Sequence, residues 1–142
     1  MKIDILKKQQ LSPRVQKQIS ELFKQLGGDK TQVALSDVID GNNQITLAYC
    51  EAHNEIIGMA LMCHYNVISG KKAWIEDVVV NAAYRGQGIG RKLMTKLIAS
   101  AKEKNISQIL LFTEDHRASA IHLYSDLGFR VKASRIYTLK LE

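Results

Sequence analysis

Trp74-Ile75-Glu76-Asp77-Val78-Val79-Val80 leads through Asn81-Ala82-Ala83-Tyr84 into Arg85-Gly86-Gln87-Gly88-Ile89-Gly90, and this stretch decides how the chain is read. Ala73 to Val80 is an apolar, β-branched run of strand character. Behind the glycines, Leu93, Met94, Leu97, Ile98 and Ala101 recur at helical spacing, and Asn105 ends that helix. Three alternating glycines therefore occupy a strand-to-helix turn, where one would suffice to reverse the chain. Glycines admit positive φ and the close approach of a ligand, while the following helix offers unpaired N–H groups and a partial positive charge. The combination suits a phosphate. Its Gly-x-Gly-x-Gly spacing differs from the dinucleotide fingerprint Gly-x-Gly-x-x-Gly, and no phosphate loop ending in Gly-Lys-Ser/Thr is present.

Working outward, Lys2 to Leu6 alternates as an edge strand would, and Ser12-Pro13 supplies an N-cap followed by proline at the first helical position. Val15, Ile19, Leu22, Phe23 and Leu26 give that helix its apolar stripe, which stops at Gly27-Gly28. A shorter helix is expected from Asp29-Lys30-Thr31 to Val38 and Ile39, closed at Gly41. Ile45 to Ala52 and Ile56 to Val67 read as a hairpin turning at His53-Asn54-Glu55, which sets Cys50 opposite Gly58 rather than Cys63. Both cysteines are then expected to be buried free thiols. Ser69-Gly70-Lys71-Lys72 turns the chain into the decisive strand, and Gln108 to Thr113 is another strand. Ala118 to Leu127 reads as a helix with Gly128 as its stop, and Phe129 to Lys132 with Arg135 to Leu141 reads as a closing pair of strands. The expected order is β-α-α-β-β-β-α-β-α-β-β, an α/β chain of α+β type with a mixed sheet.

With 142 residues, 46% of them hydrophobic and 24% charged, the chain is expected to be one globular domain, residues 1–142, without linker or repeat. Its longest apolar run, Ile56 to Cys63, is far short of the roughly 20 residues a membrane span needs. Asp4, Lys7 and Lys8 interrupt any secretory core, so the expected location is cytoplasmic, with no membrane partner. A net charge of +6 favours anionic ligands without naming one.

Val78 to Gly90 resembles the acetyl-CoA-binding motif of the GNAT superfamily of N-acetyltransferases, Gln/Arg-x-x-Gly-x-Gly/Ala, with Arg85, Gly88 and Gly90 at its signature positions. Ala120-Ile121-His122-Leu123-Tyr124-Ser125-Asp126-Leu127-Gly128-Phe129 is similar to the family's second signature, a helix carrying a tyrosine and ending in Leu-Gly-Phe. The resemblance covers Trp74 to Val131, while the first 72 residues match only in their order of elements. It implies a GNAT-like acyl-CoA N-acyltransferase fold and acetyl-CoA as co-substrate. By the same resemblance, the backbone of Arg85, Gly86, Gln87, Gly88, Ile89, Gly90 and Arg91 surrounds the pyrophosphate. Val78, Val79 and Val80 pair with the pantetheine arm, and a bulge there would splay the sheet and turn a Val78 N–H toward the thioester carbonyl.

An amine of pKa near about 10 must lose a proton before it attacks a thioester, so the reaction requires a base. Ile75-Glu76-Asp77 is similar to the sequence in diamine and amino-sugar phosphate acetyltransferases, where such a glutamate acts through water; the resemblance implies Glu76 as general base. Strand parity places Glu76 with Val78 and Val80, and Asp77 on the opposite side. Two alternatives stay open: Asp77 as the base, or Glu76 as a partly buried carboxylate paired with a lysine or arginine. The departing thiolate needs a proton, and Tyr124 stands at the family's tyrosine position as general acid; otherwise it is an aromatic packing beside Leu127. Neither cysteine has a nucleophile's surroundings, so direct attack in a ternary complex is expected.

Many family members carry an asparagine seven residues before the tyrosine, whereas this chain has Arg117, so that contact does not carry over. Arg117 is a candidate for a phosphate or a substrate carboxylate, and Ser119 is a candidate cofactor contact. His53, His64, His116 and His122 lack metal-ligand spacing, so no metal is expected, and His64 is read as a strand histidine or a lining residue of the acceptor cleft. The expected acceptor is a small-molecule amine, with a protein amine as the variant. Competing readings are a non-catalytic acyl-CoA sensor and a basic nucleic-acid-binding domain; Glu103 and the lack of interleaved aromatics on the third helix weigh against the latter. Arg135 to Leu141 can pair across a homodimer.

Overall fold

The computed structural model describes every residue except Asn43, Asp115 and Glu142. It divides into two compact units, Met1–Phe112 and Thr113–Glu142. In the first, β1 (Lys2–Ile5), β2 (Ile45–Ala52), β3 (Glu55–Val67), β4 (Gly70–Val80) and β5 (Gln108–Leu110) form one sheet in sequential order. The first four strands pair antiparallel and β5 joins β4 in parallel, which makes the sheet mixed. The long helices are α1 (Pro13–Gly27) and α3 (Ile89–Glu103), and the short α2 (Leu35–Val38) follows α1. β1 takes the edge, and Cys50 faces Gly58 across the hairpin, as expected; Cys50 is buried, whereas Cys63 is only partly so.

α1 begins where Ser12 accepts a hydrogen bond at its hydroxyl from the Val15 N–H at 3.2 Å, with Pro13 at the first helical position. Its stripe of Val15, Ile19 and Leu22 packs with Leu47, Tyr49, Met59, Leu61 and Val79 on one face of the sheet. α3 buries Ile89, Leu93, Met94 and Leu97 and packs on β2 and β3. Gly58 admits that helix, since a Cβ there would meet Ile89 at 3.0 Å and Leu93 at 3.2 Å. The apolar β-strands are thus covered on both faces, which accounts for their continuous rather than alternating hydrophobicity.

Three expectations change. The helix expected from Asp29 shrinks to Leu35–Val38, because Gln32 Nε2 donates to the Ser20 carbonyl oxygen at 3.1 Å and ties the preceding residues to α1 as a loop. β5 stops at Leu110 instead of Thr113. In the second unit α4 (Ala118–Asp126) forms with Gly128 at φ 96°, but residues 129–141 form no strand. Their alternation supplies a strand-like pattern; a ladder also needs a hydrogen-bonded partner, and no strand pairing includes them.

Candidate functional site

β4 carries a bulge at its centre. Leu61 pairs with Glu76 and Met59 with Val79, so Asp77 and Val78 together oppose Ala60. Asp77 takes φ 50°, a left-handed conformation in which aspartate is among the better tolerated side chains. This corrects the parity expectation. Glu76 stands on the face of Leu61, Met59 and Val79, and Val80, opposite Gly58, turns to the α3 face. Val78 is left outside the β3 register.

On the α1 face the first unit has a half-open cavity of about 590 Å³. α1 supplies Gln16, Ile19, Ser20 and Phe23; the following loop supplies Thr31 to Ala34; and α2 adds Leu35 and Val38. The sheet contributes Leu47, Met59, Leu61 and Asp77. Asp77 is the one ionisable side chain among the described residues that line it. Burial pushes the Glu76 carboxyl above its ordinary range and the neighbouring Asp77 charge pushes it further; burial raises Asp77 as well. Among the described residues Glu76 forms no ion pair with a lysine or arginine, and its raised pKa is opposite in sign to what such a partner produces.

The glycine turn lies at the end of the same strand. Asn81 accepts at its side-chain oxygen from the Ala83 N–H at 3.0 Å, and Arg85 Nε donates to the Val80 carbonyl at 3.1 Å, which fixes the exit from β4. Gly86 and Gly88 have φ 81° and 77°, and a Cβ on either would meet no atom within 4 Å. Gly88 is the N-cap of α3 and no side chain caps that end, so the first turn's N–H groups keep an anion-binding aspect. Arg85, Gly86, Gln87, Gly88 and Arg91 are exposed around it. Ile89 is only 1% exposed, so it can contribute backbone and no side chain to a ligand. Val79 is likewise held in the α1-side core. β5 pairs with β4 only from Lys72 to Trp74, so among the described strand pairings the β4 edge from Ile75 to Val80 has no neighbour on that side. A cradle for a phosphate thus adjoins a strand edge fit for an amide-bearing chain, and the positions fit the groups of acetyl-CoA.

In the second unit, Tyr124 is half-buried with its ring edge-on to Phe129 at 6.0 Å between centroids. Burial raises its phenol pKa and Arg117 opposes that rise. Arg117 and Ser119 are exposed at the start of α4, and His122 Nε2 lies 3.5 Å from the Asp126 carboxylate one turn on. His64 pairs with Ala73 and does not line the cavity. Sequence reasoning missed the cavity wall itself, Gln16, Ser20, Thr31 and Gln32. The legible signal was the recurrence of Gln16, Ser20 and Phe23 along one border of the α1 apolar stripe, at helical spacing.

The profile of the acetyltransferase (GNAT) family matches residues 12–129. Thialysine N-epsilon-acetyltransferase of Sus scrofa is 39% identical over 66 residues, covering 46% of this chain and 39% of that protein. The chain therefore matches about two fifths of the length of that relative. Glucosamine 6-phosphate N-acetyltransferase of Trypanosoma brucei brucei is 31% identical over 105 residues, 69% of each chain. The crystal structure of a Trypanosoma brucei acetyltransferase superposes with a TM-score of 0.80 at 23% identity, covering 99% of both chains, and shows the shared fold. A match of this extent, over a glycine turn and a split strand edge of this geometry, places the chain: it belongs to the acetyltransferase (GNAT) family.

Proposed function

We propose that the protein transfers an acetyl group from acetyl-CoA to a primary amine of a small molecule, by direct attack in a ternary complex. The observation that carries this reading is the uncapped α3 N-terminus, with Gly86 and Gly88 at positive φ and open space where their side chains would be. The family supplies acetyl-CoA, whose thioester is the activated acetyl donor. The backbone from Arg85 to Arg91 holds its pyrophosphate, and the open edge at Val78 to Val80 holds its amide-bearing arm. Ser119 is kept as a further contact.

Glu76 takes the proton of the attacking amine through water, and its raised pKa brings its basicity closer to the task. Asp77, on the cavity wall, is the second carboxylate able to receive the ammonium form. Tyr124 keeps its phenolic proton at neutral pH and gives it to the departing thiolate. The cavity volume falls within the range of small-molecule sites, which supports a small amine over a protein. Relatives named for thialysine and for glucosamine 6-phosphate act on small amines of different charge. The family match crosses residue 112, which supports one functional domain; a cytoplasmic location, the absence of a nucleic-acid partner and a homodimer remain part of the proposal. The test is release of coenzyme A thiol from acetyl-CoA across a panel of amines. Stimulation by one class establishes the transfer, and binding of acetyl-CoA without release by any amine refutes it.

A further inference from the structure

The cavity lined by Asp77 is well defined in its chemistry. Its walls are apolar at Ile19, Phe23, Leu47, Met59 and Leu61, and its neutral polar groups are Gln16, Ser20, Thr31 and Gln32. Asp77 is its one ionisable group among the described residues, and no lysine or arginine lines it. A net charge of +6 therefore resides elsewhere in the chain: Arg91 and Lys92 are exposed on α3, and the Lys96 ammonium lies 4.0 Å from Asp4. Among the described residues that line the cavity, none is basic, so the wall itself offers an anionic acceptor no cation.

We propose, resting on the acetyl-transfer reading, that this cavity selects a primary amine carried on an uncharged or cationic body and excludes amines that also carry a phosphate or a carboxylate. An anion entering it gives up hydration without gaining a cationic partner among the described lining residues and meets the Asp77 carboxylate. A cation or a neutral chain meets a carboxylate and an apolar wall instead. Gln32, tied to the Ser20 carbonyl, holds the loop that lines one side of the cavity against α1.

The test uses the full chain with acetyl-CoA and two matched sets of acceptors. One set is pentylamine, cadaverine and 6-aminohexanoate; the other is glucosamine and glucosamine 6-phosphate. Thiol release is followed at about pH 8, where carboxyls are ordinarily ionised, and binding of the same amines to the coenzyme A complex is read by calorimetry. The non-anionic members of each set are expected to exceed the anionic member by on the order of ten- to a hundredfold in kcat/KM, mainly through KM. Gln16→Lys places a cation on the wall and is expected to narrow that ratio several-fold while the KM for acetyl-CoA stays unchanged; Thr31→Lys repeats the test from the loop wall if the helix variant fails to fold. Equal or better use of the anionic member, or a ratio unmoved by either lysine, overturns the proposal. Turnover of all the amines without preference overturns it and leaves acetyl transfer standing. No turnover with any amine refutes acetyl transfer instead, and the calorimetric order then decides: tighter binding of the non-anionic members supports the selectivity, and reversed order or no binding overturns it.

Discussion

Glu76 and Tyr124 share a direction of pKa shift but differ in what it does. A raised phenol stays protonated and able to donate, so Tyr124→Phe should lower kcat by about two to four orders of magnitude while the KM for acetyl-CoA holds. Steady-state kinetics of the variant checks this, and an unaltered kcat removes the phenol from the chemistry. A raised carboxyl makes the opposite demand: in its proposed role Glu76 is a base only once ionised, so the rising limb of the kcat/KM profile should track it and be displaced in Glu76→Gln. The same shift has a stability sign. The folded chain holds this proton to higher pH than the unfolded chain, so the protonated form's contribution is full below the unfolded pKa and is lost as pH rises through the folded one. Glu76→Gln should therefore melt above the parent at about pH 7 and approach it below about pH 4, as read by calorimetry across that range. Both residues were legible as types at positions; which face Glu76 takes was not, because one extra residue at Asp77 reverses the parity of everything beyond it.

The elements carry their own signals with different fidelity. Ser12-Pro13 announced α1, and Ser12→Ala should cost about 1 kcal/mol, visible as a lower denaturation midpoint with the slope unchanged. The glycine turn announced α3. Gly88→Val should raise the KM for acetyl-CoA at least about tenfold, because a β-branched residue resists φ 77° and its side chain would project into the space left open over the helix end. Isothermal titration with coenzyme A checks it, and parental affinity undoes the phosphate cradle. α2 was overestimated because a capping-type run beginning at Asp29 competes with the side-chain hydrogen bond from Gln32 to the end of another turn of α1, which no local pattern contains. The closing strands of residues 129–141 were expected from alternation alone, and alternation describes one strand's faces without providing the partner that makes it a strand.

At the scale of the molecule, charge and topology matter more than any one contact. On the proposed function, a net charge of +6 attracts polyanionic coenzyme A through a screened field, so raising salt from about 0.05 to 0.5 M should raise the KM for acetyl-CoA several-fold and leave kcat nearly constant. Family, sheet-forming segments, the glycine turn and the candidates for base and acid could be read from the chain because each rests on local spacing: three glycines after a strand, a tyrosine four residues before Gly128, and Glu76 nine before Arg85. The bulge that brings Glu76 to the α1 face, the loop that walls the cavity and the early departure of β5 from β4 were decided only by the tertiary structure. They depend on which residues of distant strands stand opposite one another, and a cross-strand register is set by packing between segments far apart in the chain rather than by the composition of either.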